Sequence, residues 1–404
     1  MELTERFISY CKIDTQSDPD THRTPSTDKQ YDLARLLVKE LKEMGVEDAC
    51  VNDKCIVYGH IKTNCDDRRK IGFVSHMDTS DQLTATGCSP RIINDYDGKD
   101  ILLNEELGIV LSPEQFPKMR NDKGKTLIVT DGTTLLGGDD KAGIAAIMDL
   151  VQYIHEHPEF LHCSISIAFT PDEEIGEGAD HFDLKEFDAD YAYTVDGEDA
   201  CDIEYENFNA AAARVHIKGL SIHPGSAKGK MVNASLVAME FNALLPERER
   251  PEYTEGYEGF NHLTGISGEV DHCLLEYIIR NHDPKILERQ KEDFRRAQEA
   301  INKKYGPDTV VLEISDSYRN MRELIEPHIE IVNEAKRIIG ELGLRATSTA
   351  IRGGTDGAML TYKGLPCPNL GTGTRNCHGR YEYVVVEEMK LVAELLKRLV
   401  AKKD

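Results

Sequence analysis

Histidine and acidic residues follow three short apolar runs of this chain, and they are the residues best suited to chemistry. His76 and Asp78 come directly after IGFVS, Glu173 and Glu174 come after SISIAFT, and Asp196 directly follows YAYTV. Imidazole and carboxylate groups with no obligatory thiolate form the donor set that borderline divalent metals prefer, above all zinc. The pattern therefore predicts a metal site.

Buried strands of an α/β sheet are the elements that must position these side chains. The runs 71–75, 164–170 and 191–195 are short, apolar and rich in β-branched residues, and they alternate with amphipathic helical stretches. Asp139 lies in the turn GGDDKAG, which opens a predicted helix over about 141–153. In open α/β sheets ligands bind beyond the carboxyl ends of the strands, so we expect separate loops to deliver these groups to one place.

The number of candidate ligands favours two metal ions over one. A single catalytic zinc needs three protein ligands and a water, whereas paired ions about 3.5–4 Å apart use more and share a carboxylate. Each motif alone has a simpler explanation: HMD as a hydrogen-bonded loop end, and DEE as acidic residues at a helix N-terminus. The prediction depends on their joint occurrence at successive strand ends.

The chain changes character from about Phe208. Alternating apolar and polar residues occur there and near 265–279 and 309–315, with helical segments at about 233–245 and 284–304. This pattern predicts a separate antiparallel sheet with helices.

The predicted fold is an α/β catalytic domain with a mixed sheet flanked by helices, interrupted by a smaller α+β insert. The catalytic domain comprises residues 1–207 and 321–404, and the insert comprises 208–320. The insert is either a lid or a dimer interface of a homodimer. A chain of 404 residues exceeds the size at which one core usually stops growing, which agrees with two domains.

Two helices are predicted from local patterns. Thr27 and Gln30 resemble a capping box before a helix that ends near Gly45. The last helix of the chain carries an apolar face formed by Met389, Val392, Leu395, Leu396 and Leu399.

Composition excludes several classes of partner. Lys and Arg number 48 against 72 Asp and Glu, so the net charge of −24 disfavours nucleic acid and anionic membranes. No apolar run approaches the length of a bilayer span, and the N-terminal segment lacks the pattern of a signal peptide. The ten cysteines include no CxxC pair. We expect reduced thiols and a cytoplasmic location.

Seven longer motifs together resemble a known family. They are SHMDTS, LLGGDDKAGIAAI, FTPDEEIGEGA, TVDGE, HPGSAKGKMVNA, RGGTDGAML and GTGTRNCHGRYE. They are similar to the peptidase T family of tripeptide aminopeptidases, in the clan of di-zinc exopeptidases related to carboxypeptidase G2. The resemblance covers nearly the whole chain and implies a zinc-exopeptidase-like fold acting on a small peptide.

The resemblance also implies how two zinc ions per subunit are held. His76 and Asp196 correspond to ligands of one ion, Glu174 and His378 to ligands of the other, and Asp139 to the bridge between them. Within the aspartate pair, Asp139 is chosen because the family pattern places the bridge two residues before a lysine.

Further features of the aspartate turn are implied by the same resemblance. Asp140 is the alternative bridge, and a cis peptide bond follows the bridging aspartate. Such a bond costs about 3–4 kcal/mol and needs support from its surroundings.

Glu173 matches the catalytic general base, which takes a proton from the attacking water and returns it to the departing amine. Asp78 matches a residue that accepts the second ring N–H of His76 and so fixes its orientation. His223 resembles a histidine that stabilises the oxyanion of the transition state.

Arg280 and Arg352 are candidates for binding the terminal carboxylate of the substrate, because a guanidinium pairs with carboxylate through two hydrogen bonds. A structural salt bridge is the alternative for both. Cys377 adjoins His378, and we expect its side chain to point away on extended backbone. The remaining histidines considered are expected on the surface: His155, His157, His162 and His181.

Two alternative functions stay open at this point. One keeps the two metals but acts on a dipeptide or an N-acylated amino acid. The other is a non-catalytic metal-binding protein, which predicts loss of the base or of a ligand; the sequence retains all five ligands and Glu173.

Overall fold

A computed structural model describes residues 1–403, which form two compact units. The first unit contains Met1–Tyr205, Glu323–Thr349 and the residues from Thr355 on; the second contains Glu206–Arg322 and Ala350–Gly354. The segment 350–354 falls outside the insert expected from sequence. It joins the second unit because Ile351 N–H donates to the Glu206 carbonyl there.

The helices and strands are numbered in chain order. Within residues 1–403 the α-helices are α1 (Leu3–Cys11), α2 (Gln30–Glu43), α3 (Gly138–Glu156), α4 (Leu184–Phe187), α5 (Ala234–Leu244), α6 (Pro284–Tyr305), α7 (Arg322–Ile325), α8 (Ile329–Glu341), α9 (Asp356–Tyr362) and α10 (Val386–Val400). The strands are β1 (Cys50–Val51), β2 (Val57–Ile61), β3 (Lys70–His76), β4 (Arg91–Ile93), β5 (Ile101–Asn104), β6 (Ile109–Leu111), β7 (Leu127–Val129), β8 (Ser164–Thr170), β9 (Tyr191–Gly197), β10 (Ile203–Glu204), β11 (Asn209–Lys218), β12 (Phe260–Gly268), β13 (His272–Asn281), β14 (Val310–Tyr318), β15 (Asn369–Gly371), β16 (Thr374–Arg375) and β17 (Tyr383–Val385).

A seven-stranded mixed sheet in the order β1-β2-β8-β3-β9-β15-β10 forms the centre of the first unit. Strand β3 runs parallel to β8 on one side and to β9 on the other, whereas β1, β2 and β10 pair antiparallel. The register aligns His76 with Thr170, so β3 and β8 end at the same edge. The predicted α/β class with a mixed sheet is confirmed.

A second sheet of the first unit, in the order β16-β17-β7-β4, carries the loops on either side of the candidate site. Strand β7 leads into the turn before α3, and β16 and β17 flank the loop that contains His378. Strands β7 and β17 pair directly, with Val129 opposite Tyr383. The first loop therefore begins at a strand that neighbours the one at which the second loop ends.

The second unit contains a four-stranded antiparallel sheet in the order β12-β13-β11-β14. Its strands alternate in burial because one face packs on α5 and α6, as in β11 from Ala213 to Ile217. Phe241 of α5 and Phe294 of α6 are fully buried in this core.

The last helix, α10, buries all five residues of its predicted apolar face. The predicted capping box is wrong, because the N-cap of α2 is Lys29 and no side chain caps the helix. Helix α2 begins at Gln30, whose amide donates to Asp172, and the Thr27 hydroxyl donates to the Gln16 carbonyl.

The ten cysteines are all free thiols in the structure. Among residues 1–403, no helix combines the length and apolar character that a membrane span requires.

Gly72 in the centre of β3 gives a test of packing in the main sheet. A Cβ atom there would lie 2.4 Å from Cε1 of Phe187 and 2.9 Å from Cβ of Ala192. We expect Gly72→Ala to lower the free energy of unfolding by about 1–3 kcal/mol, measured by urea denaturation. Combining it with Phe187→Leu should cost less than the sum of the single changes.

Gly340 in α8 is the matched control for this prediction. A Cβ atom there meets open space, so Gly340→Ala should gain about 0.5–1 kcal/mol from its helix position. A wild-type urea midpoint for Gly72→Ala would contradict the packing described for β3.

Candidate metal centre

Neighbouring strand ends bring the candidate ligands to one edge of the main sheet. His76 is the last residue of β3, and Asp196 lies near the end of β9. After β8 the chain forms a short 3-10 helix, Glu173–Ile175, that places Glu174 in the same region. This arrangement follows from the parallel pairing of β3 with β8 and β9.

Asp139 lies between the two histidines. Its Oδ1 is 2.9 Å from Nε2 of His76, and its Oδ2 is 3.2 Å from Nε2 of His378. Each histidine has a further carboxylate of its own. Nε2 of His76 is 3.4 Å from Oδ1 of Asp196, and Nε2 of His378 is 2.9 Å from Oε2 of Glu174.

The five predicted ligands therefore form two histidine–carboxylate pairs that share one aspartate. Nitrogen and oxygen donors in this proportion suit zinc and similar divalent ions. Asp139, Glu174 and Asp196 are also mostly buried, with side-chain exposures of 17%, 4% and 12%. Crowded carboxylates at such burial favour a bound cation, because unpaired buried charge is costly. The donor set fits a metal centre.

Asp140 offers a second carboxylate close to His76 and Asp196. Its oxygens, however, accept hydrogen bonds from the Ser75 hydroxyl and from Gly143 N–H, and the side chain is fully buried. Of the two aspartates, Asp139 is the one that contacts both histidines. The geometry thus favours Asp139 as the shared ligand, and the Asp139–Asp140 peptide bond is cis, as the family resemblance implies.

Asp78 orients two parts of the site. His76 Nδ1 lies 3.1 Å from the Asp78 backbone carbonyl and 3.4 Å from its carboxylate. The ring therefore carries its proton on Nδ1, which leaves Nε2 free to bind a metal. The closest partners of the Asp78 carboxylate are instead the N–H groups of Glu173 and Glu174, at 3.0 and 3.2 Å.

The Glu173 side chain has no hydrogen bond or ion pair with the rest of residues 1–403. Burial raises the pKa of this carboxyl well above its usual range, and the negative charge of Asp196 adds to the effect while His76 opposes it. A free carboxylate of raised pKa beside the ligands is suited to accepting and returning a proton.

The ligands perturb one another strongly. Hydrogen bonds to Asp139 and Glu174 raise the pKa of His378 to about 11. Burial raises the pKa of Asp196 to about 7. The histidines hold the pKa of Asp139 well below its usual range, although burial opposes them.

The backbone at His378 is not extended as expected. Asn376 and His378 have φ angles of 54° and 63°, in the left-handed region that non-glycine residues rarely adopt. Such conformations are retained where the surrounding structure imposes them, often at functional sites. The argument from extended backbone for the direction of the Cys377 side chain therefore fails.

His223, Arg280 and Arg352 belong to the second unit. The His223 side chain is exposed, and its Nδ1 accepts a hydrogen bond from Gly225 N–H. Arg280 donates from Nη1 to the Arg352 carbonyl.

The expected surface position is wrong for His162, which is buried with its Nδ1 bonded to the Cys163 carbonyl. It lies just before β8, which begins at Ser164. His155 and His181 are exposed, and His157 is partly exposed.

Two buried carboxylates near the site were missed from sequence. Asp172 accepts hydrogen bonds from Ser26 and Gln30, and Glu382 accepts three backbone N–H bonds from the turn before Asp139. Both lie inside motifs that carry the family resemblance, which is the only signal that could have indicated them.

Comparison with known proteins gives consistent matches. Residues 131–402 match the model of Peptidase family M20/M25/M40. The chain is 50% identical to Peptidase T of Bacillus subtilis (strain 168), over 99% of both chains.

Solved structures share the fold. The aminopeptidase PepT from Bacillus cereus ATCC 10987 superposes with a TM-score of 0.76 at 23% identity, over 98% of this chain and 97% of that one. The YXEP protein of Bacillus subtilis, described as a dinuclear metal binding peptidase from the M20 family, gives 0.62 at 13% identity, over 98% and 96%.

Metal binding to this centre should release protons. At about pH 7.5 His378 is protonated because its pKa lies near 11, and Asp196 is partly protonated, whereas metal ligands must be deprotonated. We expect about one proton or more to be released as zinc binds, and the zinc affinity to rise with pH. Calorimetric titration in buffers of different ionisation enthalpy measures this release.

His378→Ala is the comparison for this titration, and it should release fewer protons and bind less zinc. Heats of binding that do not depend on the buffer would contradict the electrostatics described for the site.

Proposed function

The chain belongs to peptidase family M20/M25/M40, and from this premise we propose that it is an aminopeptidase that releases the N-terminal residue of tripeptides. The observation that carries the proposal is Asp139, with one carboxylate oxygen near each of two histidines and the free Glu173 carboxyl nearby. The full-length similarity to Peptidase T supports tripeptides as the substrate class.

We propose two zinc ions as the cofactors. His76 and Asp196 would hold one, Glu174 and His378 the other, and Asp139 would contact both. When bound, such ions polarise the scissile carbonyl and lower the pKa of water. The Nδ1 proton of His76, held by the Asp78 carbonyl, keeps the ring in the orientation and tautomer that metal binding needs.

Glu173 is the proposed general base. Its carboxylate would take a proton from the attacking water at one oxygen and later give it to the nitrogen of the departing amine. The raised pKa of its carboxyl makes Glu173 a stronger base toward the proton of the attacking water. Asp78 acts through the backbone, because it fixes the N–H groups of Glu173 and Glu174 and so aims both side chains.

His223 is the proposed additional donor to the oxyanion. Because Nδ1 accepts the Gly225 N–H bond, the proton of the neutral ring lies on Nε2. An exposed imidazole with its proton on Nε2 can donate a hydrogen bond to the developing negative charge.

Arg280 is the better candidate of the two arginines for the terminal carboxylate of the substrate. The Arg352 guanidinium already donates to the carbonyls of Gly256 and Glu258 and to the Thr254 hydroxyl. These bonds give it a structural role. Arg280 donates one hydrogen bond, and its Nε is buried with no partner among residues 1–403.

Homodimer formation and a cytoplasmic location also stay proposals. The homodimer is supported by two exposed apolar side chains of α5, Leu236 and Met239, which are 61% and 60% exposed. The cytoplasmic location is supported by the free cysteines, which suit a reducing compartment. A monomer in sedimentation velocity would contradict the first proposal, and recovery from a non-cytosolic cell fraction would contradict the second.

Glu173→Gln should lower kcat by a factor of about 10²–10⁴ while zinc content stays at the wild-type level. Turnover and metal content are measured on the same preparation. Glu177→Gln, the same change in the same turn, is the control and should keep normal turnover. Substantial activity in Glu173→Gln would remove this residue as the base.

A substrate panel tests the proposed function and its carboxylate clamp together. The unmodified protein should cleave a tripeptide faster than its dipeptide fragment or its N-acetylated form. Arg280→Ala should raise KM for the tripeptide by about 10–100-fold and leave the tripeptide amide nearly unaffected, because a charged hydrogen bond is lost only with the free carboxylate.

Arg352→Lys is the control for the clamp. It should lower the unfolding midpoint and leave the ratio of acid to amide cleavage unchanged. Dominant cleavage of the acetylated peptide would contradict the aminopeptidase assignment and favour an N-acyl amino acid hydrolase, and preference for the dipeptide would favour a dipeptidase.

A further inference from the structure

Glu382 holds the turn that carries Asp139. Its Oε2 accepts hydrogen bonds from the N–H groups of Leu136 and Gly137, at 3.0 and 2.8 Å, and its Oε1 accepts one from Asp139 N–H at 3.0 Å. The side chain is 2% exposed. A charged acceptor that binds several N–H groups away from water fixes the backbone more firmly than a neutral one.

The same residue is tied to the loop that carries His378. Glu382 N–H donates to the Gly379 carbonyl at 3.2 Å, within the loop between β16 and β17. Glu382 therefore connects two loops that each supply a proposed metal ligand. These ligands are Asp139 and His378, and Oδ2 of Asp139 lies 3.2 Å from Nε2 of His378.

The turn is shaped to receive a carboxylate. Gly137 has a φ of 73°, and a Cβ atom on Gly138 would lie 3.1 Å from Oε1 of Glu382 and 2.7 Å from Val384. Convergent backbone N–H groups in such a turn form an anion-binding concavity. Here the anion is supplied by the chain itself.

We propose that Glu382 is a positioning residue for the metal centre, whose carboxylate sets Asp139 in register with His378 before any ion binds. The inference rests on the proposed metal centre, and it adds a residue that is not one of the proposed ligands. Residues that orient metal ligands commonly change metal affinity by 10–100-fold when they are replaced.

E382Q is the direct test. Glutamine keeps the size of the side chain but has one carbonyl oxygen, so at least one of the three N–H groups would face an NH₂ group. We expect zinc affinity, measured by competition with a chromophoric chelator, to fall by about 10–100-fold. The visible spectrum of the cobalt-loaded protein should also change, because it reports ligand geometry.

D122N is the matched control. Asp122 is another buried carboxylate, 2% exposed, and it accepts hydrogen bonds from Tyr383 of β17 and from Lys125, which both lie outside the two ligand loops. Its replacement should lower the thermal midpoint of the metal-free protein and leave zinc affinity and the cobalt spectrum unchanged. A purely structural Glu382 would behave in the same way, and that result would overturn the proposal.

Amide hydrogen exchange on the unmodified protein tests the proposal even where E382Q does not fold. The amides of Leu136, Gly137 and Asp139 should be protected in the metal-free protein. Rapid exchange that slows only when zinc is added would show that the metal organises the turn, and it would overturn the proposal.

These readouts separate the inference from the proposed function. A different substrate class would leave zinc affinity and exchange unchanged. Failure of the unmodified protein to bind zinc would contradict the proposed function and the inference with it, whereas wild-type affinity in E382Q contradicts the inference alone.

Discussion

The site depends on holding several carboxylates together in a largely buried place. Carboxylates repel one another and lose hydration on burial, so each needs a fixed partner. The chain meets this need by dividing its acids into two groups. Asp139, Glu174 and Asp196 face the histidines. Others, among them Asp78 and Glu382, accept hydrogen bonds from backbone N–H groups of the turns that carry the ligands.

This division explains how loops can position a metal centre with little help from regular secondary structure. The strands set the positions of His76 and Asp196 directly. Glu174 and Asp139 lie beyond strand ends, and their turns are fixed by the carboxylates of Asp78 and Glu382. Hydrogen bonds to the second group of acids thus fix the loop backbone, as the hydrogen bonds between strands fix the sheet. A rigid frame of this kind reduces the cost of organising ligands when a metal binds.

The parts of the structure that could be predicted from sequence are those encoded by local patterns. Strand β3 follows from a short continuous apolar run, and the apolar face of α10 follows from helical periodicity. The α/β class follows from the alternation of such runs with helical stretches along the chain. The clustering of ligands was predictable because parallel strand ends meet at one edge. The choice of Asp139 over Asp140 rests on the family resemblance and not on a local pattern, since both aspartates occupy one turn and differ only in direction.

The features that could not be predicted from sequence depend on hydrogen bonds between residues far apart in the chain. Gln30 looks like part of a capping box, yet its amide bonds Asp172, 142 residues away. Glu382 bonds N–H groups 243 to 246 residues away, and no local pattern can indicate such partners. Buried polar side chains are placed by whichever distant groups lack a partner, and that is decided only when the chain has folded.

The two arginines show why residue type alone does not assign a role. Arg280 and Arg352 are equally suited to a carboxylate by their chemistry, and both stack against the ring of Phe260. They differ in how many of their N–H groups the protein already uses. The Arg352 guanidinium donates to backbone carbonyls and a hydroxyl of one loop, so a ligand could bind it only by breaking those hydrogen bonds. An arginine whose donors lack protein acceptors gains a hydrogen bond from an anion at no such cost, and this difference in satisfied donors favours Arg280.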